Sequence, residues 1–173
     1  MDEKTSTARV ALKWGLIIGI GTIIYSIVLF TLDLTTNRGL SVLTYGIFIA
    51  GLVLAMREFR TANGGYMTYG EGVGLGALAS AIAGVLSSAF SVFYMTVIDP
   101  GFQERLMDQT REQLEEQGQL SDEQIDQAIE MGQSFQSPGL LFVFGIFGSI
   151  LIGVLLTLII AAIMRRNKAN PFE

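Results

Sequence analysis

Four stretches of the chain run without a single Asp, Glu, Lys or Arg: 14–32, 40–56, 73–98 and 140–164. Crossing about 30 Å of hydrocarbon takes roughly twenty apolar residues in a helix, so each stretch predicts a transmembrane span. The second is the shortest and sits at the lower limit. The third and fourth are longer than the hydrocarbon is thick at about 1.5 Å per residue, which predicts tilt or projection beyond the lipid. The first follows Lys4, Arg9 and Lys13 in the manner of a signal peptide. It is too long for a signal core, however, and Leu29-Phe30-Thr31-Leu32-Asp33 at its far end lacks a small-x-small cleavage pattern. It reads as an uncleaved span.

The polar connections predict how the spans begin and end. In the second connection, Arg57 and Arg60 suit the negative end of a helix dipole, and Asn63-Gly64-Gly65 tolerates positive φ. Thr68 and Glu71 have capping-box spacing at the start of the third span, and Tyr66 and Tyr69 suit an interface. The third connection, about 99–138, is the one sizeable solvated piece. Asp99-Pro100 is placed as N-cap and first helical residue, with a helix to about Gln117 and a stop at Gly118. Ser121 and Gln124 box the start of a second helix, with Leu120 and Ile125 spaced as a staple, ending near Gln136 before Ser137-Pro138-Gly139. Ile125, Ala128, Ile129 and Phe135 share one side of it. The pattern is an all-α, polytopic membrane protein: four transmembrane helices, plus an extracytoplasmic acidic helical hairpin between the third and fourth. Its 173 residues make a single membrane domain, 1–173.

Charge sets the orientation. Eight of the eleven Lys and Arg residues lie in the N-terminal tail (Lys4, Arg9, Lys13), the second connection (Arg57, Arg60) and the C-terminal tail (Arg165, Arg166, Lys168). The positive-inside rule then puts both termini in the cytoplasm. The cytoplasmic segments carry +3 and the opposite side −8, within a total of −5.

The inventory excludes much chemistry. With no cysteine and no histidine, disulfides, thiol nucleophiles, Cys or His zinc sites and imidazole-based triads are ruled out. No phosphate loop, HExxH or nucleophile elbow is present. The spans offer hydroxyls alone, where intramembrane catalysis needs a nucleophile with a base, or paired carboxylates. No enzyme, cofactor or metal site is expected. The acidity also disfavours nucleic acid, and the basic C-terminal tail suits anionic lipid heads.

Small residues recur every fourth position in the third span (Gly72, Gly76, Ser80, Gly84, Ser88) and the fourth (Gly145, Ser149, Gly153, Thr157, Ala161). The first span has one such step, Gly15 to Gly19. Without water to expel, helices in lipid associate by close backbone approach, and such ladders predict packing faces. They would meet within one chain or between copies. The span hydroxyls (Thr22, Tyr25, Ser26, Thr44, Tyr45, Ser80, Ser87, Ser88, Ser91, Ser149 and Thr157) are expected to bond backbone carbonyls one turn back. The spans hold no carboxylate or cation of the kind that couples transport. Glu71 is a possible contact for a cation or partner, though a helix cap explains it more simply. Glu112, Glu115 and Glu116, and Glu123, Asp126 and Glu130, form acidic faces most simply read as solvated.

Several stretches resemble the domain-of-unknown-function family 4199 of small bacterial membrane proteins. They are Leu12-Lys13-Trp14-Gly15, Arg57-Glu58-Phe59-Arg60 with Asn63-Gly64-Gly65-Tyr66, Gly70-Glu71-Gly72, and Ile98-Asp99-Pro100-Gly101-Phe102. Ser137-Pro138-Gly139 and Phe144-Gly145…Gly148-Ser149 complete the set, which covers about Ala8 to Arg166. The resemblance implies a bacterial inner (cytoplasmic) membrane, with the acidic hairpin in the periplasm, and no catalytic or ligand residues. The expected role is a non-catalytic integral membrane protein in the lipid bilayer, packing with itself or another membrane protein. The alternative is a small passive conduit or exporter of neutral or lipid-like molecules.

Overall fold

The computed structural model of the protein describes residues 6–35, 37–135 and 137–166. The predicted end of the second short helix at Gln136, and the tail residues Lys4 and Lys168, lie outside them. The described residues form six α-helices: α1 (Thr7–Thr31), α2 (Arg38–Ala62), α3 (Tyr69–Phe93), α4 (Phe102–Gln117), α5 (Asp122–Ser134) and α6 (Pro138–Met164). Past Phe93, α3 widens into one π-helical turn, Tyr94–Ile98, in which the Asp99 N–H reaches back to the Tyr94 carbonyl at 2.8 Å. Four of the helices, α1, α2, α3 with its π turn, and α6, are long and apolar enough to cross a membrane. That is the make-up of a multi-pass membrane protein.

Each helix outruns its uncharged stretch. α1 takes in Arg9 and Lys13, and α2 runs on through Arg57, Glu58 and Arg60. The second span is thus short in apolar residues but not in helix. Its 25 residues measure about 37 Å at about 1.5 Å each, long enough to lift the charged last turns out of hydrocarbon.

The starts and stops follow side-chain chemistry. Asn37 accepts the N–H groups of Gly39 and Leu40, capping α2. Thr68 and Glu71 form a complete capping box on α3, and Ser121 and Gln124 another on α5. Ser137 accepts the Leu140 N–H, with Pro138 as the first residue of α6. Gly64 and Gly65 turn the chain after α2 at φ 69° and 89°, and Gly118 stops α4 at φ 60°, conformations in which a side chain would crowd the backbone. One boundary differs from expectation. α4 starts at Phe102 rather than Pro100, because Pro100 and Gly101 form a turn closed by the Phe102 N–H on the Asp99 carbonyl.

α3 is the centre of the bundle, packed along α6 on one side and α1 on the other; α2 lies against α1 and touches α3 and α6 more lightly. The core fills the half of the bundle near the two termini, where Val10, Ala11, Ile18, Leu52, Met56, Phe59, Met67, Leu75, Ala79 and Ala161 are buried together. Met67 and Arg166 exchange backbone N–H···O bonds of 3.0 and 2.8 Å, tying the α2–α3 turn to the end of α6. Nearby, Glu58 accepts from Lys13 Nζ at 2.7 Å and Trp14 Nε1 at 2.9 Å, joining α1 to α2. The outer faces are apolar, with Phe147 68% and Ile163 78% exposed. Such surfaces suit lipid rather than water.

At the other end an aromatic cluster seats α4. Phe102, 3% exposed, places its ring 4.9 Å from Phe30 and 6.0 Å from Tyr94, while Phe30 and Tyr94 lie 4.7 Å apart. The wider π turn carries Tyr94 into this cluster. α4 and α5 touch through Arg111 and Asp126 at 2.6 Å and through Gln133 and the Met107 sulfur at 3.4 Å.

Candidate functional site

The small-residue ladders of α3 and α6 face each other inside one chain. Gly72 lies against Ala161, Gly76 against Thr157, Ser80 against Gly153, Gly84 against Ser149, and Ser88 against Gly145. Every rung pairs a glycine with a residue that has a side chain, and a β-carbon on any of these glycines would overlap its opposite number. At Gly72 it would stand 2.9 Å from the Ala161 methyl, and at Gly84 2.7 Å from Ser149. Gly15 and Gly19 of α1 do the same against Ala79, Ile82 and Leu86 of α3. Within this chain, the two predicted packing faces are turned to each other.

Thr157 is fully buried on this seam, and its hydroxyl has no partner among the described residues. A buried donor left unmade costs free energy. Thr157→Val keeps the shape and removes the hydroxyl. It is expected to raise stability by about 1 kcal/mol, measured by denaturant titration in micelles; a loss of stability would mean the hydroxyl is paired.

Two cavities open in the half of the bundle away from the termini. The first, about 180 Å³, is lined by residues of all four long helices: Thr22 and Ser26, Thr44, Tyr45 and Phe48, Ser87, and Ser149 and Ile152. The second, about 170 Å³, shares Ser87 and continues along Ser88, Ser91, Met95, Leu141 and Gly145. Phe48 forms the floor of the first, its ring beside Gly153. Beyond it Ser80, Gly153, Gly76 and Thr157 close the bundle.

The hydroxyls divide into two groups. Ser80 bonds the Gly76 carbonyl at 2.7 Å, Thr22 bonds Gly19 at 2.9 Å and also meets Ser87 at 2.8 Å, and Ser149 reaches across to the Ser80 carbonyl at 3.1 Å. Tyr25 donates to the Leu40 carbonyl at 2.8 Å. In contrast, Ser26, Thr44 and Tyr45 at the first cavity, and Ser88 and Ser91 at the second, have no hydrogen-bond partner among the described residues. The expected bond to the preceding turn is therefore absent at these five positions. No residue lining either cavity is ionisable at neutral pH.

Glu71 is occupied locally, its carboxylate accepting the Thr68 N–H at 2.8 Å and hydroxyl at 2.9 Å. This is the cap rather than a contact reaching outward. Among the described residues no three acids come close enough to hold a metal ion. Of the acidic faces, Asp126 is paired with Arg111.

Where α4 meets the bundle, Arg105 bridges Asp99 at 2.5 Å and Asp33 at 3.5 Å. The Arg105 guanidinium, with the Gly101 and Phe102 N–H groups, holds the Asp99 carboxyl below the usual aspartate range. Because the folded-state value is depressed, this contribution is complete above the ordinary aspartate pKa of about 3.9. It declines as pH falls below that value and vanishes below the folded one. Hydrogen exchange in α4 is expected to accelerate only in that acid window, and Asp99→Asn to abolish the pH dependence.

The family described as "Protein of unknown function (DUF4199)" matches residues 13–166, from Lys13 in α1 to Arg166 just beyond α6. No curated protein and no solved structure matches the chain.

Proposed function

The chain belongs to the DUF4199 family, and from that premise we propose that it is a non-catalytic, multi-pass protein of a bacterial inner membrane that holds another membrane component in its hydroxyl-lined cleft. Both termini are cytoplasmic and α4 and α5 form an acidic hairpin in the periplasm, a reading supported by the bias of Lys and Arg toward the terminal end. The observation that carries the proposal is the contrast between the two halves. The cytoplasmic half is filled by large buried side chains. The periplasmic half is hollow where four helices meet, and hydroxyls stand unpaired around the hollow. An unpaired hydroxyl in hydrocarbon is costly, and a bound molecule would relieve it.

Packing with further copies through the small-residue ladders would require the bundle to open, since α3 and α6 occupy each other's ladders. A passive conduit is the second reading, favoured by two cavities in series that share Ser87. The close rungs at Ser80–Gly153 and Gly76–Thr157 weigh against a passage through to the cytoplasm.

Native mass spectrometry of the protein taken from its own membranes in mild detergent tests the binding reading. A defined mass adduct is expected, and it should be lost when Thr44→Phe fills the cleft. A bare protein mass from membranes, combined with solute flux through liposomes, would favour the conduit instead. A reporter fused after residue 173 is expected to be active in the cytoplasm, and one inserted at Gly118 in the periplasm.

A further inference from the structure

We propose that the first cavity takes a flat, neutral ring bearing a carbonyl oxygen and an apolar tail, the chemistry of a quinone-type lipid; this rests on the binding reading above. Four observations lead there. The volume of about 180 Å³ is the size of a single ring, since a protein cavity of about 150 Å³ accepts benzene. The lining contains no ionisable group at neutral pH, so the part that enters is uncharged; phospholipid heads are excluded by the cost of burying their charge.

The polar atoms are hydroxyls on separate sides of the space: Ser26 on α1, Thr44 and Tyr45 on α2, Ser87 on α3 and Ser149 on α6. Those of Ser26, Thr44 and Tyr45 have no partner among the described residues, whereas Thr31, Thr61, Ser80 and Thr96 donate to the carbonyl one turn back. Hydroxyl hydrogens are thus free on the α1 and α2 walls, where a ring carbonyl oxygen can accept them. Phe48 and Ile152 supply flat and branched apolar walls for the ring faces.

Access is from the side. α2 touches α3 and α6 only lightly, and Tyr45 stands 44% exposed at the edge of the cleft. A ligand dissolved in the bilayer reaches the cavity without crossing water. The neighbouring cavity of about 170 Å³ beyond Ser87 gives the first carbons of a tail a place to lie.

The test uses the full chain in phosphatidylcholine nanodiscs titrated with decylubiquinone, following saturable binding against empty nanodiscs. Saturable binding is expected. Thr44→Val, which keeps the volume and removes one donor, should weaken it roughly fivefold. Ser26→Leu, which fills the space, should weaken it at least about tenfold. Should Ser26→Leu not fold, the Thr44→Val arm and competition carry the decision. Displacement of the adduct found in native membranes by decylubiquinone supports the proposal. If dioleoylglycerol displaces that adduct and decylubiquinone does not, the ring assignment is overturned while the cleft remains a binding site. If neither binds above empty nanodiscs and no native adduct exists, both this assignment and the binding reading fail.

Discussion

Gly153→Leu is expected to remove most folded protein from the membrane fraction, with a destabilisation of about 3 kcal/mol or more. The glycine faces Ser80, and even a β-carbon there would overlap the serine side chain. A leucine must therefore push α3 and α6 apart along the most extensive helix pair of the bundle. Gly148→Leu is the matched control: it lies on the same helix, five residues earlier, with nothing within 4 Å of its β-carbon position. It should be close to neutral. The decisive measurement is a double-mutant cycle. Gly153→Ser alone is expected to destabilise, and Ser80→Gly in the same chain to restore much of the loss by moving the side chain to the other side of the rung. The coupling should fall within about 0.5–3 kcal/mol. Additive effects would show that the two positions do not share space.

Phe102→Ala is expected to release α4 and α5 while leaving the four long helices assembled. Phe102 is the one residue of α4 that is fully buried, wedged between Phe30 and Tyr94. Removing a buried phenylalanine costs about 3–5 kcal/mol, and the Arg105 bridges that also tie α4 to the bundle are exposed. The loss should therefore appear as local opening rather than global unfolding. Hydrogen exchange would read it, with amides of residues 102–134 losing protection while those of α3 and α6 keep theirs. Equal loss across all helices would mean that α4 helps hold the bundle together.

Much of this architecture is legible without coordinates, because hydrocarbon imposes strict rules. The four uncharged stretches, the boxes at Thr68–Glu71 and Ser121–Gln124, and the glycine stop at Gly118 each follow from one local cause, and the helices obey them. What was hidden depends on which residues meet. The spacing of the two ladders shows that each is a packing face; only the register shows that glycine faces side chain at every rung. The π turn left no sign in a continuous apolar run, so the junction of Tyr94 with Phe30 and Phe102 was invisible. Asn37 has the right identity for a cap, yet it lies in a connection whose polar residues offered several candidates. The cleft was hidden for a different reason. A serine in a membrane helix has a default partner in its own backbone, and nothing in a sequence distinguishes Ser80, which uses it, from Ser26, which does not.

The alternation along the α3–α6 seam also has a mechanical consequence. Sliding α6 by one turn toward either end would set Ser80 against Thr157 or against Ser149, and bring Gly84 or Gly76 opposite Gly153, leaving collisions beside holes. The pair is therefore a strut that can neither piston nor ratchet. An opening that admits a guest is therefore expected where α2 meets α3 and α6, the lighter of its contacts, beside a post that keeps its length.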